Sequence, residues 1–271
     1  MSLKEEFEKH GWIILRDFFS KDEITQIRQA TEKSLDILQA DLLCNPYLAD
    51  LTILNTKIIS LVREILNGDP VYIGDSNISY RDTGMSLHKD NPDRFDGNAP
   101  DWRSHYDILR MGIYLQDYTT DSGGLILRDG SHMYPTRWKG TIINVQCKPG
   151  DLIVWNLRTT HSGNAKRLKI NPQLTLNPYL CKLLPDFLFR TAPSNRMALF
   201  ISYGLSGTHM DRYIKYLKSR KYALQRWHQM NITPELLEKG NKNGLRILDL
   251  IDDAKQLNIQ QANENHVELA Y

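Results

Sequence analysis

Three cysteines, Cys44, Cys147 and Cys181, are all that this chain carries. An odd number with no paired spacing argues against a disulfide framework or a cysteine-ligated zinc site, and for reduced thiols. No stretch approaches the roughly 18 consecutive apolar residues of a membrane span. The opening residues, Met1 to Phe7, lack the apolar core of a secretory signal, so a cytoplasmic protein is expected. Neither sign of charge prevails: 34 basic against 32 acidic residues leave +2, which points to no nucleic-acid or membrane partner. Internal repeats and low-complexity tracts are missing as well. What remains is 271 residues at 41% hydrophobic and 24% charged, the composition of an ordinary globular chain of one large domain or two small ones.

The pattern along the chain changes twice. Phe7 to Phe19 runs a short helix through Gly11 into a strand. Ser20-Lys21-Asp22-Glu23 reads as a capping box, with Ile24, Ile27, Leu35 and Leu38 following at helical spacing. A second helix is expected over residues 56–67, stopped by Gly68. Beyond Gly68, short strands are expected at 71–73, 77–80, 106–118, 125–127, 141–147, 151–155 and 196–203, separated by Gly, Pro and Asp turns. Such strands make an antiparallel sandwich or barrel with helices packed outside. From about Gly207 helices are expected again, at 211–230, after the cap Thr233-Pro234-Glu235, and at 245–257, with a frayed end from 258. The basic residues of 211–230 read as the solvated face of an amphipathic helix, ahead of a site for an acidic partner.

One stretch, residues 85–90, organises the chemistry. His88 and Asp90 stand two apart, so on extended backbone both project to one face. An imidazole and a carboxylate there are two-thirds of a facial triad, the set that holds Fe(II) on one side and leaves the other side open. A lone His-x-Asp is common on solvated loops. What lifts this one is His161, placed after the expected strand 151–155, where a barrel strand would deliver a third ligand to its mouth. The span between the histidines leaves room for four or five strands. His10, His105, His132, His209 and His228 lack a partner at ligand spacing and read as surface or structural.

The order of four motifs resembles the phytanoyl-CoA dioxygenase family of Fe(II)- and 2-oxoglutarate-dependent oxygenases. They are the opening Gly11-Trp12-Ile13-Ile14-Leu15-Arg16-Asp17-Phe18-Phe19; His88-Lys89-Asp90; Met111 to Asp117 with Gly123-Gly124-Leu125 and Asp129-Gly130-Ser131-His132; and Pro149-Gly150-Asp151-Leu152 leading to His161. The resemblance spans roughly residues 5–205. It implies a mainly β fold with packed helices: a double-stranded β-helix (jelly-roll, cupin-like) core over 1–206, with a helical extension over 207–271. It implies Fe(II) on His88, Asp90 and His161, with 2-oxoglutarate and O2 as co-substrates of a hydroxylation that releases succinate and CO2.

The family also uses an arginine for the far carboxylate of 2-oxoglutarate, a task suited to a planar guanidinium. The position where the family places it is Pro172 here. Arg167 comes early; Arg196 comes late but opens a strand like the family's arginine strand, and is favoured. That choice makes residues 168–195 an insertion, a lid or a dimer contact. Related halogenases keep Gly or Ala in place of the carboxylate, so Asp90 favours hydroxylation, desaturation or epimerisation. Asp101-Trp102-Arg103-Ser104 and the insertion are expected to line or cover the pocket. A small metabolite or natural-product intermediate is the expected substrate. Two other readings stay open: a cupin-like metal-binding isomerase or non-catalytic binding module, and an interaction protein working through its basic C-terminal helices.

Overall fold

Serine opens the first two helices. In a computed structural model that describes residues 1–38, 40–81, 86–267 and 269, Ser2 caps α1 (Leu3–His10) and Ser20 caps α2 (Lys21–Glu32). Each is a complete capping box, closed by Glu5 and Glu23, and such caps stabilise a helix by about 1 kcal/mol each. Between them Gly11 turns the chain into β1 (Trp12–Leu15). Asn45 and Asn55 cap α3 (Pro46–Leu51) and α4 (Thr56–Leu66). The expected helical stripe through Leu35 and Leu38 is not continuous, since α2 ends at Glu32 and a 3-10 turn, Leu35–Ile37, follows. Likewise Asn67, not Gly68, takes the left-handed cap of α4, at φ 55°. Met85, in the stretch around His88, lies outside the described residues.

The strands then follow: β2 (Val71–Tyr72), β3 (Ser76–Tyr80), β4 (Ile108–Tyr114), β5 (Ile126–Asp129), β6 (Thr141–Asn144), β7 (Leu152–Asn156) and β8 (His161–Ser162). After a short helix α5 (Pro178–Cys181) comes β9 (Met197–Gly204), then α6 (Thr208–Lys218), α7 (Lys221–Gln229), α8 (Pro234–Lys242), β10 (Arg246–Ile247) and α9 (Ile251–Lys255). Among the described residues they form two sheets. The larger runs β1-β7-β4-β9-β2-β10, with β3 also paired to β9; the smaller runs β6-β5-β8.

Strand alternation decides what each face meets. On β7, Leu152 and Val154 join the helix-covered core while Ile153 and Trp155 face the smaller sheet. On β4, Met111 and Ile113 face the helices, and Tyr114 the other way. On β9, Leu199 and Ile201 face the helices and Ala198 the other way. The space between the sheets is filled by Tyr114, Tyr118, Leu125, Leu127, Ile153 and Trp155. Gly112 lies in this inward row, where an added Cβ would stand 3.0 Å from the Trp155 ring. This is a double-stranded β-helix of the jelly-roll kind.

Four expectations beyond β9 are corrected. The helix expected over 211–230 is two. Arg220 is extended at φ −107°, because its backbone bridges in parallel to Asn263 and the Lys221 amide donates to the Asn263 carbonyl. The same bridge orders part of the segment expected to fray. The helix expected over 245–257 starts instead as β10, parallel to β2, burying Leu245 and Ile247 and exposing Arg246. The basic face expected to be solvated is in part buried: Arg212 and Arg226 are only 9% and 7% exposed. Among the described residues no helix is long and apolar enough to cross a membrane, and all three cysteines are free.

Residues 168–195 return on themselves. Leu168 pairs with Phe189, the Lys169 amide donates to Leu188 and the Arg190 amide to Arg167. Within this excursion Ile170, Leu183 and Phe187 are exposed.

His132 gives a pH prediction. Burial first, then the Arg158 and Lys89 cations, push its pKa down to about 4. Its Nε2 meets the Glu8 carbonyl at 2.9 Å. The unfolded chain, with histidine near 6.5, therefore binds the proton that the folded chain refuses. Stability is full above about pH 6.5 and falls toward pH 4, by roughly 3 kcal/mol for this group. Denaturant midpoints of His132→Gln between pH 7 and 4 should show a slope smaller by about one proton than the wild type's; an unchanged slope would exclude His132 as its source.

Candidate metal centre

The two histidines meet on one rung of sheet. His88 and His161 exchange both main-chain hydrogen bonds, at 3.0 and 2.9 Å, as an antiparallel pair at the start of β8. Residues so paired stand directly opposite each other, and their ring centroids are 4.6 Å apart. The Asp90 amide donates to the Leu157 carbonyl at 3.0 Å, which returns the chain toward the same space. Asp90 Oδ1 lies 3.5 Å from His88 Nε2, and Oδ2 lies 3.4 Å from His161 Nε2. One donor atom from each residue falls within 4.8 Å of the others. The structure thus brings together the three residues singled out in the sequence.

Both rings are oriented by their far nitrogens. His88 Nδ1 is 2.8 Å from the Ser86 carbonyl and His161 Nδ1 is 3.0 Å from the Thr159 carbonyl. A carbonyl only accepts, so each Nδ1 carries a proton and Nε2 is the nitrogen left to face a metal. Burial lowers the His161 pKa to about 4, which keeps the ring neutral at physiological pH. For Asp90, burial alone would raise the pKa. The Arg110 guanidinium first, then His161, His88 and Arg94, together outweigh burial and hold the carboxyl well below the usual carboxylate range. Two imidazoles and one carboxylate, open on one side, are the donor set of a facial Fe(II) site.

Arg110 was not among the sequence candidates. It sits in the inward row of β4, two residues before Gly112, and donates from Nη1 to Asp90 Oδ2 and from Nη2 to Asp75 Oδ2, each at 2.7 Å. Its Nε donates to Ser202 Oγ at 2.9 Å. The signal was an arginine alternating with Leu109, Met111 and Ile113 on a strand otherwise apolar.

His88, His161 and Arg110 line a pocket of about 170 Å³ with Tyr114, Trp155 and Arg196. Arg196 is 1% exposed; its Nε donates to the Gly123 carbonyl at 2.8 Å and its Nη1 to Ser79 Oγ at 2.9 Å. Arg167 does not line this pocket. Its Nη1 and Nη2 donate instead to the Pro172 and Val145 carbonyls, at 2.9 and 3.1 Å. Two further polar atoms of the pocket's side chains, Tyr114 Oη and Trp155 Nε1, are buried with no hydrogen-bond partner among the described residues. Buried polar groups are nearly always paired, and these two donors are left without a protein acceptor among the described residues.

The expected pocket linings are corrected. The turn Pro100–Trp102 packs elsewhere. The Trp102 indole donates to the Asp93 carbonyl, and the Arg158 guanidinium and Lys89 ammonium lie over its ring at 5.0 and 5.5 Å. The insertion lines a neighbouring cavity of about 330 Å³, where Leu176, Tyr179 and Leu184 face Leu87, Ile126 and Ser162. In the β5–β8 register Leu127 opposes His161 and Ile126 opposes Ser162. Leu127 packs with Trp155, whereas Ile126 packs with Leu87. Side chains alternate across a strand, so the insertion covers the outer face of the smaller sheet while the histidines occupy the inner one. The other histidines are held by protein groups: His209 by Asp107 and Ser104, His10 by Asp129, His105 by Glu8 and His228 by the Ala254 carbonyl.

No curated protein matches the chain. Among solved structures it is similar to HygX from Streptomyces hygroscopicus with nickel and 2-oxoglutarate bound. Identity is 15% over 74% of this chain and 85% of that one, with a TM-score of 0.53. It is similar to SnoN, a non-haem alpha-ketoglutarate-dependent epimerase from nogalamycin biosynthesis, at 13% identity over 74% and 80%, with a TM-score of 0.52. It is also similar to AviO1 from Streptomyces viridochromogenes Tue57, at 14% identity over 75% and 94%, with a TM-score of 0.52. Likeness at these identities speaks for the fold. The sequence itself matches the family model described as phytanoyl-CoA dioxygenase over residues 34–167, a span that includes His88, Asp90 and His161. Over residues 34–167 the chain is that of a phytanoyl-CoA dioxygenase-like domain.

Proposed function

We propose that this protein is an Fe(II)- and 2-oxoglutarate-dependent oxygenase that hydroxylates an unactivated carbon of a small molecule, with release of succinate and CO2. The observation that carries the reading is the convergence of His88, Asp90 and His161, with both histidines lining one pocket together with Arg196. Iron and 2-oxoglutarate would supply the oxidising chemistry; the chain supplies geometry and a dry enclosure. His88 and His161 would present their Nε2 lone pairs, and Asp90 one carboxylate oxygen. Arg196 would take the far carboxylate of 2-oxoglutarate, and neither of its bonds to Gly123 and Ser79 uses Nη2. The unpaired Tyr114 Oη and Trp155 Nε1 offer further donors to that carboxylate. Trp155, Phe200 and Leu125 line the same pocket with apolar surface and exclude water. The carboxylate at position 90 disfavours halogenation, since it fills the position that a halide would need.

HygX has also been solved with hygromycin B bound, which supports a natural-product or similar small-molecule substrate. SnoN is an epimerase, and epimerisation at a carbon is the second reading, because it begins with the same abstraction of a hydrogen atom. The protein, loaded with iron without oxygen and titrated with 2-oxoglutarate, should develop the weak visible charge-transfer band of a chelated iron–oxoacid pair. Absence of the band while iron is demonstrably bound would remove 2-oxoglutarate from the reading. Product stereochemistry separates hydroxylation from epimerisation.

A further inference from the structure

The carboxylate of Asp90 is held through a chain of contacts that reaches outside the barrel. Arg110 gives it one arm, through Nη1 to Oδ2, and gives the other arm to Asp75 Oδ2. Asp75 is only 2% exposed; it bonds Ser202 of β9, whose amide donates to its carbonyl at 2.9 Å, and its charged and phenolic partners besides Arg110 come from the C-terminal helices. Arg226 of α7 donates to Oδ1 at 3.0 Å and Tyr213 of α6 donates to Oδ2 at 2.6 Å. The turn that carries Asp75 is itself fastened to α7. Trp227 Nε1 donates to the Ile73 and Gly74 carbonyls at 2.8 and 3.1 Å. Gly74 has φ +73°, and a Cβ there would stand 2.7 Å from Met230 Sδ. A second route runs past the ligand motif: Arg212 Nε donates to Asp93 Oδ2 at 3.0 Å, and Arg94 Nη2 donates to the Tyr216 hydroxyl at 2.9 Å.

We propose that α6 and α7 are positioning elements of the metal centre, and that Asp75 is the residue through which they act. The inference rests on the metal-site reading above. A guanidinium beside a carboxylate closes on both oxygens when nothing else engages it. Doing so here would occupy Oδ1 and Oδ2 of Asp90 together and mask the ligand from a cation. Asp75, charged and clamped between Arg226 and Tyr213, keeps the second arm of Arg110 turned away. One oxygen of Asp90 is then fixed and the other stays free for metal. Arg110 and Asp75 are positioning residues; they touch neither substrate nor cofactor in this reading.

Asp75→Asn removes the charge while keeping the shape, and lets Arg110 close on Asp90. Titration with Co(II), followed by its visible ligand-field bands and by calorimetry, should show affinity lower by about 10-fold or more, the range found for groups that orient metal ligands. Adding Arg110→Gln to Asp75→Asn removes the masking arm and should recover part of that loss. A purely structural role predicts the opposite, a double variant no better than the single one. Tyr213→Phe, the mildest change, should weaken Co(II) binding by about 2- to 3-fold, and serves if Asp75→Asn does not fold. Wild-type affinity in a folded Asp75→Asn, or no recovery in the double variant, overturns the inference. If Asp75→Asn does not fold, wild-type affinity in Tyr213→Phe overturns it. Failure of the wild type itself to bind Co(II) would overturn the metal-site reading instead, and the positioning role with it.

Discussion

His161→Ala should abolish metal binding and turnover while leaving the fold in place. The two bonds that pair residues 161 and 88 are main-chain bonds, so the rung survives loss of the ring. What goes is one of three donors, leaving an imidazole and a carboxylate with no third ligand to close the face. Replacing groups that only orient ligands costs about 10- to 100-fold in affinity; removing a donor should exceed about 100-fold. The ring also packs against Trp155, with centroids 5.2 Å apart. Alanine therefore leaves a cavity, and some loss of thermal stability is expected alongside. Asp90→Ala should be equally inactive for a different reason: it leaves Arg110, now paired on one arm, facing two imidazoles and any incoming cation. Calorimetric Co(II) titration with circular dichroism on the same samples checks both. Full hydroxylation by either variant would sink the ligand assignment.

Arg196→Lys and Arg167→Lys should part company. Arg196 lines the pocket of the triad, and a lysine there keeps the charge but loses the fork. The apparent affinity for 2-oxoglutarate should fall by about 100-fold, on the scale of a lost charge-assisted bidentate contact. Arg167 is fully buried with its arms on the Val145 and Pro172 carbonyls. Its replacement strands buried acceptors, at a cost of about 1–3 kcal/mol in stability, and should leave the 2-oxoglutarate affinity where it was. Titrations of the charge-transfer band on both variants, with thermal melts, separate the two. A loss of affinity confined to Arg167→Lys would reverse the assignment.

How much of this was legible depended on whether the signal was local. His88 and Asp90 lie two apart on extended backbone, and His161 follows a strand whose apolar run marks it. The capping boxes at Ser2 and Ser20 show in four residues, although only the second was read. Arg110 was harder to find, because what marks it is the alternation of β4. Reading Ile108, Met111, Ile113 and Leu115 as the strand's apolar set left the inward row of Arg110, Gly112 and Tyr114 unread. Asp75 could not be found by spacing at all. Its partners lie far along the chain, at Arg110, Tyr213 and Arg226, and an ion pair formed by tertiary docking leaves no periodic trace. The same physics misled the reading of Arg212 and Arg226. Basic residues on a helix usually face water, and only the burial of Asp75 and Asp93 turned these inward. The break at Arg220 and the strand at Arg246–Ile247 have a like cause, since in each the backbone bonds to a distant segment in place of the next helical turn.

The pairing of Leu168 with Phe189 has an evolutionary consequence. A loop whose two ends already meet on a ladder is a cassette. Its closure is achieved by the flanking residues, and the entropy of closing it grows only logarithmically with what is strung between them. Residues 170–187 can therefore lengthen, shorten or change composition without shifting Arg196 or the rung of His88 and His161. The apolar surface of Ile170, Leu183 and Phe187 is free to diverge while the oxidising core is kept, so that one barrel can be fitted to many settings by exchanging a single segment.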